Sequence, residues 1–170
     1  MVRWGSRAAL LVTGVLVLSA CGAGPVGDPP RTLTIEQARE RSQEHVDNAV
    51  AALPVQPRLT LTRFGDSESE CTDPTDHGPR GRYQVGKSYW LDDLPADRNA
   101  EFVDVLFEHW QSSDYRVLTD NREEDNRFVS VEHNDDAFRM SVTESTEGDL
   151  SIGASSPCVW PDGEPPADAE

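Results

Sequence analysis

Val129-Ser130-Val131, Phe138-Arg139-Met140-Ser141-Val142 and Leu150-Ser151-Ile152-Gly153-Ala154 alternate apolar residues with small or polar ones. A period of two is the mark of a strand with one buried face. Asn134-Asp135-Asp136 and Glu147-Gly148-Asp149 separate the three runs and carry hairpin-turn chemistry. The stretch therefore reads as an antiparallel meander, to which Tyr115 and Val117 add a preceding strand. A sheet with one apolar face needs a second layer to cover that face.

Working outward, the cover is found upstream. Phe102, Val103, Leu106, Phe107 and Trp110 fall at helical spacing and make one apolar stripe. Asp92, Asp93 and Pro95 provide helix-start chemistry before it. Further upstream, Thr34-Ile35-Glu36-Gln37 fits a capping box. Ile35, Ala38, Ser42, Val46, Ala49, Val50 and Leu53 then mark the face of a first helix, which Pro54 and Pro57 end. Between the helices, Leu59 and Leu61 alternate with Thr60 and Thr62 in a strand reaching about Phe64. A second strand runs from about Arg82 to Leu91, with Tyr83, Val85, Tyr89 and Leu91 on one face. Residues 65–81, rich in Gly, Asp, Ser and Pro, read as a long loop holding Cys71. The predicted order is α-β-β-α-β-β-β-β, an α+β fold with two helices packed on one face of an antiparallel sheet. Trp160 is expected to pack beside Cys158, and residues 161–170 to form a disordered acidic tail.

The 170 residues carry a formal charge of −16. A balance this acidic argues against a nucleic-acid partner, whose phosphates call for Lys and Arg stripes. It also argues against adsorption to an anionic membrane by charge. Solubility outside the cell is the simplest account of it.

At the N-terminus, Arg3 and Arg7 precede an apolar run from residue 8 to 20, broken only by Thr13, Gly14 and Ser19. The run is too short to cross a hydrocarbon core, which takes ~20 residues, and has the length of a signal-peptide core. It ends in Leu18-Ser19-Ala20-Cys21, which resembles the lipobox of bacterial lipoproteins. The resemblance implies that residues 1–20 are a signal peptide and that Cys21 is acylated, the lipid holding the chain on the extracytoplasmic face of the cell membrane. More than one acyl chain is expected, because a single chain anchors only marginally. Loss of Arg3 and Arg7, with no acid, takes the charge from −16 to −18. Residues 22–31, rich in Gly and Pro, read as a flexible tether following Cys21, spanning roughly 17–30 Å. One domain over residues 32–160 follows. With Ser155-Ser156-Pro157-Cys158-Val159-Trp160 near its end, the whole resembles the small lipoproteins of high-GC Gram-positive bacteria.

Export brings an oxidising compartment, where the two remaining cysteines, Cys71 and Cys158, are expected to form a disulfide. They lie 87 residues apart, a closure the chain-entropy model values at roughly 4–5 kcal/mol before strain.

The one enzyme-like string is Phe64-Gly65-Asp66-Ser67, which resembles the first motif of GDSL hydrolases. That resemblance implies Ser67 as a nucleophile, exposed on a strand-to-loop turn. The family's Asp three residues before its histidine has no counterpart. Those positions hold Ser42, Pro74, Leu106 and Ser130, and Glu132-His133-Asn134-Asp135 lacks the glycine of the later block. An unactivated serine is a poor nucleophile. Asp73, Asp76 and His77 sit in the acidic loop with Glu68 and Glu70, at a spacing that fits neither an EF-hand nor a zinc signature. His45 and His109 read as helix-surface or interface residues. No metal or cofactor is expected. Strand positions out of phase with the core carry Trp90, Leu118 and Phe128. If the sheet's second face is open they form an exposed patch that marks a partner or ligand site. A loop or helix over that face would bury them instead. With no P-loop, GxGxxG, HExxH, CxxC or GxSxG in the chain, the sequence favours a non-catalytic envelope module that binds a protein or small ligand. An esterase-type hydrolase using Ser67 is the alternative.

Acylation of Cys21 and pairing of Cys71 with Cys158 together predict no free sulfhydryl. Thiol titration of the unreduced, denatured native protein should read zero; two thiols would break the pairing.

Overall fold

The computed structural model describes residues 31–72 and 78–167. The first helix, α1 (Ile35–Ala51), begins as its sequence dictates. The Thr34 hydroxyl accepts from the Gln37 backbone N–H, and the Gln37 side chain accepts from the Thr34 N–H, so two orphan donors are satisfied. Six strands follow around a second helix: β1 (Arg58–Glu70), β2 (Tyr83–Asp92), α2 (Asn99–Ser112), β3 (Tyr115–Asn121), β4 (Phe128–His133), β5 (Arg139–Glu144) and β6 (Leu150–Ser155). They form one antiparallel sheet in the order β1-β2-β6-β5-β4-β3. The α+β class and the order of elements are those expected. Among the described residues no helix is long and apolar enough to cross a membrane.

The core lies between the helices and one sheet face. Val129, Val131, Met140, Val142, Leu150 and Ile152 project into it with Phe102, Val103, Leu106 and Trp110 of α2 and Val46 and Ala49 of α1. These side chains are at most 3 % exposed. A smaller cluster of Ala38, Val85, Phe138 and Val159 continues the layer toward the start of α1. Asn99 ties α2 to the sheet, its amide donating to Glu144 (2.8 Å) and to the Gly148 carbonyl (2.7 Å).

The structure departs from the sequence reading in four places. First, residues 65–70 are strand, not loop. Asp66 to Glu70 pair with Lys87 to Tyr83 after a bulge between Leu61 and Asp66. Gly-Asp-Ser-Glu-Ser-Glu has little strand propensity, but an edge strand needs no apolar face. Its acids are held by Arg39, which binds Asp66 and Glu68 (2.6 Å), and by Lys87, 2.7 Å from Asp66. Second, a single 3-10 turn (Ala96–Arg98) separates Pro95 from α2, and Asp93 sits at φ 68° instead of capping. Third, a bulge between Val117 and Thr119 makes Leu118 an extra residue, and both it and Val117, which stays opposite Val131, are exposed because β3 is an edge strand. Fourth, residues 161–163, read as the start of a tail, are docked: the Thr32 and Ile35 N–H groups donate to Gly163 and Pro161 carbonyls. Trp160 is buried, and its backbone N–H donates to Thr32 Oγ1 at 2.7 Å.

Cys71 and Cys158 are joined by a disulfide, which fastens the end of β1 to the segment after β6.

Phe102, with no exposed surface, should cost about 3–5 kcal/mol when truncated to alanine. Phe64→Ala, at a residue 75 % exposed, should change stability by no more than about 0.5 kcal/mol. Urea denaturation of the two variants checks both values.

Candidate functional site

Two features stand out: the sheet face opposite the helices and a polar cluster beneath α1, buried at His45 and half-buried elsewhere. The open face is built by strand register. Its central row runs Ser88, Gly153, Ser141, Ser130 and Thr119, each paired with the next across the sheet. The row on one side places Trp90 and Phe128 in line through Ser151 and Thr143. The row on the other side passes from Gly86 through Ser155 to Arg139, Glu132 and Arg116, where Glu132 holds both arginines (2.8 Å to Arg139). Small side chains in the middle leave a shallow cleft of about 360 Å³. Ser67 and the bulge residue Phe64 line it at one end and Phe128 at the other. The only charged residues in the lining are Lys87 and Arg139, in a chain of net charge −16. None of the hydroxyls of Ser67, Ser88, Ser130, Ser141 and Ser155 has a hydrogen-bond partner among the described residues.

The residues expected to form an exposed patch are thus divided. Trp90 and Phe128 share the open face on one row, two strands lying between them, and both are half-buried. Leu118 is the extra residue of the β3 bulge at the sheet's edge, 44 % exposed. Phe64, which sequence reading passed over as a strand end, is the most exposed large apolar side chain among the described residues. A hydrophobic residue followed by glycine in a strand pattern is a bulge signal that would have found it.

Ser67 lies inside β1, paired with Gly86, and not on a strand-to-loop turn. Among the described residues it has no histidine within hydrogen-bond reach. Asp73, Asp76 and His77 lie outside the described residues. His109 is half-buried near the end of α2, and burial lowers its pKa.

The second feature escaped the sequence reading. His45, expected at a surface or interface, is only 3 % exposed. Its Nδ1 lies 2.5 Å from Tyr115 Oη and its Nε2 lies 3.1 Å from Asp136 Oδ2. Asp136 also takes His133 Nδ1 at 2.8 Å, the Arg41 Nε–H at 2.8 Å and the Phe138 backbone N–H at 3.3 Å. The Phe138, Tyr115 and His133 rings all lie against His45, centroids 5.0–5.8 Å away. Sequence alone hid this set because its members come from α1, β3, β4 and a turn. The only local signal was His133-x-x-Asp136.

Two acceptors cannot face one neutral imidazole without a donor. The arrangement therefore puts a proton on His45 Nε2, donated to Asp136, while the Tyr115 hydroxyl donates to Nδ1. Burial pushes the His45 pKa below its ordinary 6.5, against the pull of Asp136. Burial likewise pushes the Tyr115 hydroxyl up to about 12, with the Asp136 charge adding to it. For Asp136, burial acts upward, but the Arg41 hydrogen bond, the His45 interaction and the Phe138 N–H hold its carboxyl below the ordinary value.

A histidine kept neutral by the fold makes stability pH-dependent. The unfolded imidazole takes a proton near 6.5 while the folded one resists. The contribution is therefore complete above that pH and is lost as pH falls below it, toward the lower folded value. The thermal midpoint, measured in chelator-containing buffer, should fall from neutral pH to pH 5. His45→Gln should flatten that fall, and a slope unchanged by the substitution would contradict the assignment.

Compared with known proteins, the chain matches no family model, no curated protein and no solved structure.

Proposed function

We propose that the chain is a lipoprotein acylated on Cys21, tethered at the extracytoplasmic face of the cell membrane, whose open sheet face binds a protein or small ligand of the envelope. The observation that carries the binding role is that face. It is a six-stranded surface with both helices on its other side, a floor of serine hydroxyls without partners among the described residues, and aromatic side chains at either end of the cleft. Hydroxyls free to exchange water for a ligand supply directional contacts, and aromatic rings supply area at low entropic cost. The lipobox residues support the membrane location. The Cys71–Cys158 disulfide fits an oxidising compartment. The hydrolase alternative draws no comparable support, since Ser67 has no described base beside it.

A photo-crosslinking side chain placed at position 141, mid-face, and another at Glu108, on the exposed side of α2, separate the readings in native envelopes. Adducts from 141 and not from 108, weakened by joint Phe64→Ala and Trp90→Ala substitution, are the expected result. No adduct, or equal adducts from both positions, overturns the binding role. Mass spectrometry of the N-terminal peptide should find acyl mass on Cys21, and a bare thiol there overturns the anchor.

A further inference from the structure

We propose that His45, His133 and Asp136 form a binding site for a divalent transition cation of the zinc type. The inference is independent of the binding role given to the open face. One ring nitrogen from each of His45 and His133 and a carboxylate oxygen of Asp136 lie within 4.8 Å of one another, and His133 Nδ1 is 2.8 Å from Asp136 Oδ1. A zinc ion bonds nitrogen and oxygen at about 2.0–2.2 Å in tetrahedral geometry, which sets its ligand atoms roughly 3.3 Å apart. His45 Nε2 and Asp136 Oδ2, 3.1 Å apart, already define one such edge. Two imidazoles with one carboxylate suit a borderline cation and not calcium or magnesium, which take oxygen.

The surroundings are those of a metal centre. Tyr115 Oη, 2.5 Å from His45 Nδ1, stands where an outer partner aligns a ligating imidazole. On binding, the His45 proton sits on Nδ1 and is donated to Tyr115 Oη, whose own hydroxyl proton turns away. The His133 proton moves from Nδ1 to Nε2. Phe138, fully buried, supplies a dry wall. On the other side Asp136 lines a cleft of about 610 Å³ between α1 and residues 135–138, from which an ion would reach the carboxylate first and through which water would supply a fourth ligand. The charge nearest the site is Arg41, which donates to Asp136 Oδ2 through Nε and to Glu44 (2.9 Å) through Nη1. Its side chain is 37 % exposed, so it is able to turn to Glu44 and solvent while the carboxylate takes the ion.

Isothermal calorimetry of the purified full chain with zinc chloride tests the site, with thermal midpoints in zinc and in chelator alongside. One ion per chain is expected, with a raised midpoint in zinc because only the folded state holds all three ligands. His133→Gln should abolish both responses while keeping its midpoint in chelator, which shows that it folds. Tyr115→Phe should weaken affinity about tenfold, the effect of an outer-shell partner. Cobalt(II) should give the visible absorption of a four-coordinate ion in the parent chain and not in His133→Gln. No heat and no midpoint rise in the parent chain, or full affinity retained in His133→Gln, overturns the proposal.

Discussion

The rest of the molecule depends on the burial of one side of a twisted antiparallel sheet under α1 and α2. Val131, Met140 and Ile152 from three neighbouring strands and Phe102, Leu106 and Trp110 from α2 belong to one cluster from which water is almost wholly removed. Strand alternation forces the consequence. Every residue sent inward puts its neighbours outward, so a six-stranded sheet covered on one side presents six strands' worth of side chains on the other. Here those are serine, glycine and threonine in the middle and aromatic or charged residues beside them.

The parts legible in the sequence were those governed by periodicity. The alternation of Val129 and Val131, of Met140 and Val142 and of Leu150 and Ile152 gave strands and their inward faces. The stripe from Phe102 to Trp110 gave α2, and Thr34 with Gln37 gave the start of α1 to the residue. What remained hidden had no local pattern. The second half of β1 is polar throughout, and it is strand because Lys87 and Arg39 neutralise its acids while β2 offers a backbone to pair with. Bulges at Leu61/Asp66 and Val117/Thr119 interrupt the alternation of two strands, which put Phe64 and Leu118 at the surface, whereas Val117, still opposite the buried Val131, is exposed on the edge strand. Of the proposed patch, Trp90 and Phe128 were placed on one face by correct phase, whereas Leu118 was lost to a bulge.

The cluster around Asp136, half-buried apart from His45, shows a different limit. One carboxylate satisfies two imidazoles, a guanidinium and a backbone N–H, yet its partners are scattered from residue 41 to residue 138. Buried polar groups are tolerated only when each has a partner. A set this complete acts as a registration device, since a slip of the β4–β5 turn by one residue would take the Asp136 carboxylate away from His45 Nε2 and Arg41. Such a network trades apolar burial for directional contacts, and no helical or strand period announces it.

The docking of residues 161–163 beside Thr32 and Ile35 has a mechanical consequence. A pull on the chain just before Thr32 would first stretch the hydrogen bonds to Gly163 and Pro161. From there the load passes through a few residues to Cys158 and, by the covalent bridge, to Cys71 at the far end of β1. Tension arriving from that side is diverted along an edge of the molecule, so the helices could remain seated while their own terminus is under force.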